Sequence, residues 1–364
     1  MTITFAEKLA RMPGYQAGVP TGAAPESIAA TGIAQLASNE SAFPPHQKVI
    51  EAVQSAAGAM NRYPDPDATL LRRRLAERYE TEPGRVAVAN GSCEILLAAA
   101  LALCEPGDEI VYAWPSFSMY PYLPALTGAR EIRVPLAAGD VHDLDAMLTE
   151  VTAATQLLIV CNPNNPTATH IPAARIGEFL EGVSPHVTVL LDEAYIEFQT
   201  NDDPDASLDL LSRFPNLVIL RTFSKAYGLA GLRVGYAIGS STFRAAVDAV
   251  RQPFSVNALA QAAGAEAILH QDDVLNRVEA TIAERLRVEE GLAALGLETS
   301  ESQANFSWID LGDVDEAGIV AALGERKIAV RPGTPLGDPG HIRVSYGTRA
   351  EDDRFLDALV ELLG

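Results

Sequence analysis

The residue of this chain best suited to chemistry is a lysine that follows a buried strand. Lys225 lies in the segment TFSKAYGLAGLR at positions 222–233, directly after the apolar run 218–220. Lysine is seldom buried without a task, and a partly desolvated lysine has a lowered pKa and forms Schiff bases with carbonyl compounds. Ser224 and Arg233 flank it, and both side chains can hold a phosphate. The segment therefore indicates amine chemistry beside a phosphate site.

Two further segments place polar groups where predicted strands end. The segment LDEAY at 191–195 sets Asp192 at the carboxyl end of an apolar run, which is where open α/β sheets bind ligands. The segment NGSCEIL at 90–96 joins a predicted strand to a predicted helix, with Ser92 as the expected N-cap. The free N–H groups and the helix dipole at such a start favour an anion.

Together these segments resemble the motifs of fold-type I pyridoxal-5′-phosphate (PLP) enzymes, within the histidinol-phosphate/aromatic amino acid aminotransferase subfamily. The similar segments follow the family's order from about residue 35 to 350, and they include LASNE (36–40), NRYPDP (61–66), WPSFSMY (114–120), CNPNNPTA (161–168) and HIRVSYGT (341–348). The order is more specific than any single motif. The resemblance implies an α/β fold in which a large domain has a mainly parallel seven-stranded sheet covered by helices, with a small α+β domain beside it.

The resemblance also implies PLP as the cofactor. Lys225 would hold it as a Schiff base, and Asp192 would pair with the pyridine nitrogen and keep it protonated. The other implied cofactor contacts are Asn165 and Tyr195 at the phenolic oxygen, Phe117 stacked on the ring, and Gly91, Ser92, Cys93, Ser224 and Arg233 around the phosphate. Two positions depart from the family: Cys93 stands where many relatives carry an acidic residue, and Ala168 replaces a glycine.

Substrate contacts and a dimer follow from the same resemblance. Arg343 would bind the substrate's anionic group, because a guanidinium binds a carboxylate through two parallel hydrogen bonds. Arg331 is a second candidate anion contact, and Asn39 and Tyr15 would also line the substrate site. Tyr63 would touch the PLP phosphate of the neighbouring subunit. We therefore expect a homodimer with shared active sites.

Short apolar runs alternate with helical segments over the middle of the chain, which predicts a mainly parallel sheet. The runs are 86–89, 109–113, 157–161, 187–191, 217–220 and 234–238. We expect an N-terminal arm that also joins the small domain (1–44), a large PLP-binding domain (45–265) and a small C-terminal domain (266–364). Residues 272–295 predict a long helix, capped by Asp272, with an apolar stripe formed by Val274, Val278, Ile282 and Leu286.

Charge and composition argue against nucleic acid, membranes and metal ions as binding partners. The net charge is −21, and an acidic surface repels nucleic-acid phosphates and anionic lipid. No apolar run is long enough to span a membrane, and the N-terminal residues lack the pattern of a signal peptide. The three cysteines are widely spaced, so a reducing cytoplasm is expected, and neither cysteine nor histidine spacing indicates a metal site.

The expected activity is amino transfer between an aromatic amino acid (phenylalanine, tyrosine or tryptophan) and 2-oxoglutarate. The segment 222–233, with SQANFSW at 302–308, looks closest to the aromatic, phenylalanine-type branch of the family. A histidinol-phosphate aminotransferase of histidine biosynthesis is the main alternative. More distant alternatives are a PLP decarboxylase of the same lineage and a non-catalytic PLP-binding module. A nucleotide-dependent dehydrogenase is disfavoured, because no G-x-G-x-x-G follows a predicted strand.

Overall fold

The computed structural model describes residue 3, residues 5–14 and residues 32–363. Its α-helices are α1 (Gln47–Ala57), α2 (Thr69–Arg78), α3 (Ser92–Leu103), α4 (Tyr122–Thr127), α5 (Leu144–Thr149), α6 (Ala173–Gly182), α7 (Ser241–Val250), α8 (Ala258–Ala267), α9 (Gln271–Ala294), α10 (Glu316–Glu325) and α11 (Arg349–Leu363). Its strands are β1 (Ala34–Gln35), β2 (Val86–Ala89), β3 (Glu109–Trp114), β4 (Arg130–Ala137), β5 (Val141–His142), β6 (Thr155–Cys161), β7 (Thr188–Asp192), β8 (Leu217–Thr222), β9 (Gly235–Ile238), β10 (Glu298–Thr299), β11 (Phe306–Asp310), β12 (Ile328–Ala329), β13 (Arg331–Pro332) and β14 (His341–Ser345).

The large sheet has the strand order β2-β9-β8-β7-β6-β3-β4-β5. Strands β4, β3, β6, β7 and β8 run parallel, whereas β9 is antiparallel to both β8 and β2. The predicted α/β fold with a mainly parallel sheet is confirmed. The predicted count of seven strands was wrong, because the two-residue β5 adds an eighth beyond β4. Most of β4 is exposed, so it lacks the continuous apolar run that marks its buried neighbours.

The core lies on both faces of this sheet. Neighbouring residues of β3 point in opposite directions, as strand geometry requires. Ile110 and Tyr112 pack with α3 on one face, whereas Val111 packs with α6 on the other. Double-sided burial explains the nearly unbroken apolar runs, and it leaves the carboxyl ends of the parallel strands as the place where polar groups can meet a ligand.

The C-terminal residues form a second, antiparallel sheet in the order β10-β11-β14-β13. Residues of this sheet, α10 and α11 share one apolar core, and the arm contributes Leu36 to it. The arm is held there because β1 pairs in parallel with β12, with Ala34 opposite Ile328. The boundaries at residues 44 and 265 stay predictions.

The long helix α9 passes from one core to the other. Val274 and Val278 pack in the core of the large sheet, whereas Val288 and Leu292 pack in the C-terminal core. The predicted stripe was wrong at its end: the Leu286 side chain is 62% exposed. In an α-helix, four residues turn about 40° more than one full turn. Leu286 is three such steps from Val274, so its side chain no longer lies on the buried face.

The start of α9 also differs from the prediction, because the N-cap is His270 without a side-chain cap and Asp272 lies inside the first turn. Neither α9 nor any other helix within the described residues is long and apolar enough to cross a membrane.

Candidate active site

A cavity of about 230 Å³ lies at the carboxyl ends of the parallel strands. Strands β7 and β8 end beside it at Asp192 and Thr222, and α3 begins beside it at Ser92. Nine residues predicted from the sequence line it: Ser92, Cys93, Phe117, Asn165, Asp192, Tyr195, Ser224, Lys225 and Arg233. The sheet thus brings together side chains that are as far apart in the chain as Ser92 and Arg233.

Lys225 has its amine at the centre of the site. Its Nζ donates a hydrogen bond to the backbone oxygen of Ser38 at 3.0 Å. Shielding from water, with further help from the nearby Arg343 and Arg233 charges, lowers the pKa of Lys225 to about 8, although Glu40 acts in the opposite direction. A much larger fraction of the amine is therefore neutral near pH 7 than in an exposed lysine, which is what a nucleophile or a base needs.

Asp192 lies on the floor of the cavity with its side chain 3% exposed. Its Oδ2 accepts a hydrogen bond from the Tyr120 hydroxyl at 2.9 Å, and its Oδ1 has no hydrogen-bond partner among the described residues. Burial raises the pKa of Asp192 to about 6, while the Tyr120 hydrogen bond opposes that rise. A buried carboxylate oxygen without a partner is costly, so it marks a position for a ligand donor.

The Tyr195 hydroxyl connects the arm to the loop that follows β6. It accepts hydrogen bonds from Asn39 Nδ2 at 3.1 Å and from Asn165 Nδ2 at 3.2 Å. Asn165 Oδ1 in turn accepts from the Arg343 guanidinium. Burial raises the pKa of Tyr195 to about 12, so its hydroxyl keeps its proton and can donate to an anionic oxygen.

The start of α3 and the Lys225 segment form the other end of the cavity. Arg233 Nη1 donates to Ser224 Oγ at 3.5 Å and to the Ala230 backbone oxygen at 3.0 Å. Gly91 has φ +79°, and a Cβ there would lie 2.4 Å from Arg233 Nη2, so this position requires glycine. The expected Ser92 N-cap was wrong: Gly91 is the N-cap and Ser92 is the first helical residue. Ser92 and Cys93 still line the cavity at the start of the helix, which is the end that favours an anion.

Cys93 and Ala168, which depart from the family pattern, both fit the fold. Burial raises the pKa of the Cys93 thiol, so the residue that replaces an acid is neutral. Ala168 has φ +61° and is fully buried. A left-handed alanine costs about 1 kcal/mol, which burial of its methyl group offsets by roughly 0.8 kcal/mol. The adjacent Asn165 keeps its contact with Tyr195.

A second cavity of about 200 Å³ adjoins the first and shares Lys225 with it. Arg331, Arg343 and Asn39, which were predicted as substrate contacts, all line it, and Leu336 adds an apolar side chain. Arg331 and Arg343 are opposite each other on β13 and β14. Two guanidinium groups and the Lys225 amine thus line one cavity, although the net charge of the chain is −21, and such a cavity favours an anionic ligand.

Of the predicted residues that the structure describes, Gly91 and Tyr63 do not line these two cavities. Tyr63 is 82% exposed, and its ring stacks on Phe254 with the centroids 4.7 Å apart. Tyr15 lies outside the described residues. Sequence reasoning in turn assigned no role to Ser38, Tyr120 or Leu336. Tyr120 stands inside the segment 114–120, but no feature of the sequence indicated that its hydroxyl reaches Asp192.

The site fits PLP by its own chemistry. The unpartnered Asp192 Oδ1 suits a protonated ring nitrogen, the Lys225 amine suits an aldehyde, and the helix start with Arg233 and Ser224 suits a phosphate. These three features lie on one cavity, as a single ligand with those groups would require. The individual roles of the residues stay predictions.

Comparison with known proteins identifies the class. The family model for aminotransferase class I and II matches residues 31–359, and the chain belongs to this family. The aromatic amino acid aminotransferase of Streptomyces coelicolor is 41% identical over 341 residues, which is 93% of this chain and 94% of that protein. The enzyme of the same name from Thermobifida fusca is 45% identical over 326 residues, covering 89% and 88%.

Solved structures agree on the fold. Histidinol-phosphate aminotransferase from Sinorhizobium meliloti, in complex with pyridoxal-5′-phosphate, superposes with a TM-score of 0.86 at 29% identity, over 100% of this chain and 98% of that one. N-succinyldiaminopimelate aminotransferase from Mycobacterium tuberculosis has the same TM-score at 26% identity, over 99% and 100%. The expected family resemblance is confirmed.

Proposed function

We propose that this protein is a PLP-dependent aminotransferase that moves the amino group between an aromatic amino acid and 2-oxoglutarate. The observation that carries the proposal is one cavity in which Lys225, the unpartnered Asp192 Oδ1 and the Arg233 phosphate site meet. The aromatic substrate is supported by relatives of that name that are 41–45% identical over most of the chain.

The chain's own residues account for binding and proton transfer. PLP, when bound, supplies an aldehyde that links to amines and a ring that withdraws electrons. Asp192 would hold the ring nitrogen, while Asn165 and Tyr195 would hold the phenolic oxygen. Phe117 would stack on the ring, and Gly91, Ser92, Cys93, Ser224 and Arg233 would hold the phosphate.

Substrate binding would use the second cavity. Arg343 would bind the α-carboxylate, and Lys225 Nζ, as a neutral amine, would take the proton from the α-carbon. Arg331 would bind the second carboxylate of 2-oxoglutarate, and Leu336 and Phe117, which line the same cavity, would lie beside an aromatic side chain. One site would thus serve both partners of the transfer.

Histidinol phosphate is the second candidate substrate. It is favoured by the neighbouring structure of a histidinol-phosphate aminotransferase and by two arginines that suit a phosphate as well as a carboxylate. We also propose a homodimer with shared sites, supported by the exposed Tyr63, and a cytoplasmic location, supported by three cysteines that form no disulfide.

The test is an absorbance titration of the PLP-loaded protein with L-phenylalanine and, separately, with histidinol phosphate. We expect the band of the enzyme-bound cofactor to fade with phenylalanine and to return on addition of 2-oxoglutarate. A response to histidinol phosphate alone would replace the aromatic substrate by the second candidate. Failure of the protein to bind PLP would overturn the proposal.

A further inference from the structure

Tyr120 joins two residues of the cofactor cavity. Its hydroxyl donates to Asp192 Oδ2 at 2.9 Å, and its ring meets Phe117 edge-on, with the centroids 5.7 Å apart and the planes at 90°. Tyr120 is fully buried and Asp192 is 3% exposed, so bulk water does not compete for this hydrogen bond. One side chain therefore contacts both the residue at the cavity floor and the aromatic ring at its side.

The Tyr120 hydrogen bond makes the two oxygens of Asp192 unequal. Oδ2 is occupied by the tyrosine, whereas the buried Oδ1 has no partner among the described residues. A carboxylate with one oxygen fixed is held in one orientation, and the other oxygen then points in a defined direction.

Besides Tyr120, the backbone N–H of Ala194 favours the ionised form of Asp192, whereas the Glu193 carboxylate disfavours it. The neighbouring Cys161 thiol is neutral, because burial raises its pKa. Glu193 is engaged by Arg221, whose Nε lies 2.9 Å from Glu193 Oε2. A hydrogen-bond donor to a buried carboxylate favours its ionised form, so Tyr120 opposes the effect of burial.

We propose that Tyr120 is a positioning residue that aims Asp192 Oδ1 at the ring nitrogen of PLP and thereby determines how firmly this nitrogen keeps its proton. The inference deepens the proposed function and rests on PLP binding in this cavity. Tyr120 itself touches neither substrate nor the reacting atoms; it acts through Asp192.

The test compares two tyrosine variants in the PLP-loaded protein. Tyr120→Phe removes the hydroxyl but keeps the ring against Phe117. Tyr112→Phe is the matched control, because Tyr112 is also fully buried and its ring centroid is 5.6 Å from that of Tyr120. Its hydroxyl, however, donates a hydrogen bond to Glu131 and not to Asp192. The readouts are the NMR signal of PLP labelled with ¹⁵N at the ring nitrogen and the PLP dissociation constant.

We expect the ¹⁵N signal of Tyr120→Phe to move toward that of an unprotonated pyridine, and PLP affinity to fall about tenfold, the size of one hydrogen bond to a charged group. Tyr112→Phe should match the wild type in both readouts. A wild-type ¹⁵N signal in Tyr120→Phe, or equal shifts in both variants, would overturn the inference.

A double-mutant cycle separates a direct role from a structural one. In an Asp192→Asn background the carboxylate is gone, so Tyr120→Phe should change PLP affinity less than twofold. An undiminished tenfold loss there would mean that Tyr120 acts independently of Asp192 and would reject the inference. If the wild type itself binds no PLP, the proposed function fails instead, and the two failures are distinct.

Discussion

Arg343 and Asn165 are hydrogen bonded across the boundary between the two sheets. Arg343 Nη1 donates to Asn165 Oδ1, and Nη2 donates to the backbone oxygen of Ala37 at 2.8 Å. The arginine predicted to bind substrate is thus aligned by the asparagine predicted to bind the cofactor. Its planar group is fixed before a substrate arrives, which lowers the cost of ordering it.

Replacing this arginine tests the alignment. Arg343→Lys keeps the charge but cannot serve Asn165, Ala37 and a substrate carboxylate together. Because a hydrogen bond to a charged group contributes about 1.5–3 kcal/mol, we expect kcat/KM for L-phenylalanine and for 2-oxoglutarate to fall at least tenfold. PLP affinity should stay within about twofold of the wild type. Arg213→Lys, in an exposed ion pair, is the control and should leave both constants unchanged. Unchanged kinetics in Arg343→Lys would remove Arg343 from the substrate site.

The titration of Lys225 predicts how cofactor capture depends on pH. Only the neutral amine attacks an aldehyde, and the Lys225 pKa is about 8 in the absence of cofactor. The rate of covalent PLP attachment to the apoprotein should therefore rise with pH, about tenfold per unit below pH 8, and level off above it.

Borohydride trapping followed by peptide mass analysis measures this rate. Lys225→Ala should trap no PLP in the segment 222–233 and should show no transamination, while PLP still binds non-covalently. A capture rate that keeps rising to the pKa of an ordinary lysine would contradict the lowered value.

Gly91 tests the phosphate end of the cavity. Gly91→Ala would place a Cβ 2.4 Å from Arg233 Nη2 and would force a side chain into φ +79°. We expect PLP affinity to fall at least tenfold because the Arg233 guanidinium must move. Gly107→Ala is a matched control: its φ is +106°, yet nothing lies within 4 Å of the added Cβ. Backbone strain should lower the free energy of unfolding of this variant by about 1 kcal/mol. Its PLP affinity should equal that of the wild type. Equal loss of PLP affinity in both variants would show that strain, and not Arg233, is responsible.

Tyr63 tests the shared site. Its side chain is 82% exposed in the single chain, so removal of its hydroxyl should not affect folding. We expect Tyr63→Phe to retain PLP less tightly, because the hydroxyl would serve a phosphate in the partner subunit. Mixing Tyr63→Phe with the Lys225→Ala variant gives dimers in which one site has both Lys225 and Tyr63 intact, so tight PLP retention should return in part of the mixture. Retention no better than that of the two separate variants would argue against a shared site.

The sequence allowed prediction of most residues of the cavity, because their positions follow from local patterns. Asp192 and Lys225 come directly after apolar runs, and the carboxyl ends of parallel strands necessarily meet at one edge of the sheet. The strands with continuous apolar runs were found for the same reason. Strand β4 was missed because its pattern is mostly exposed, and Leu286 was misplaced because a four-residue repeat drifts around a helix.

Contacts between segments that are distant in the chain could not be predicted from local sequence patterns. The Ser38 backbone oxygen meets Lys225 across 187 positions, and the Tyr120 hydroxyl meets Asp192 across 72. Each depends on how separate elements pack, and neither changes the local composition. The left-handed backbone of Ala168 is similar: the residue type argues against it, and only the surrounding hydrogen bonds, to Asn164 and Gln303, hold it in place.

The pairing of the arm with β12 has a consequence for synthesis of the protein. Ala34 leaves the ribosome early, but Ile328, its strand partner, is added about 290 residues later. At common elongation rates of 5–20 residues per second, the arm waits roughly 15 to 60 s for that partner. Until then Ser38 and Asn39 have no fixed place beside Lys225 and Tyr195. The strands of the large sheet can therefore form during synthesis, but the substrate site is complete only after β1 has paired with β12.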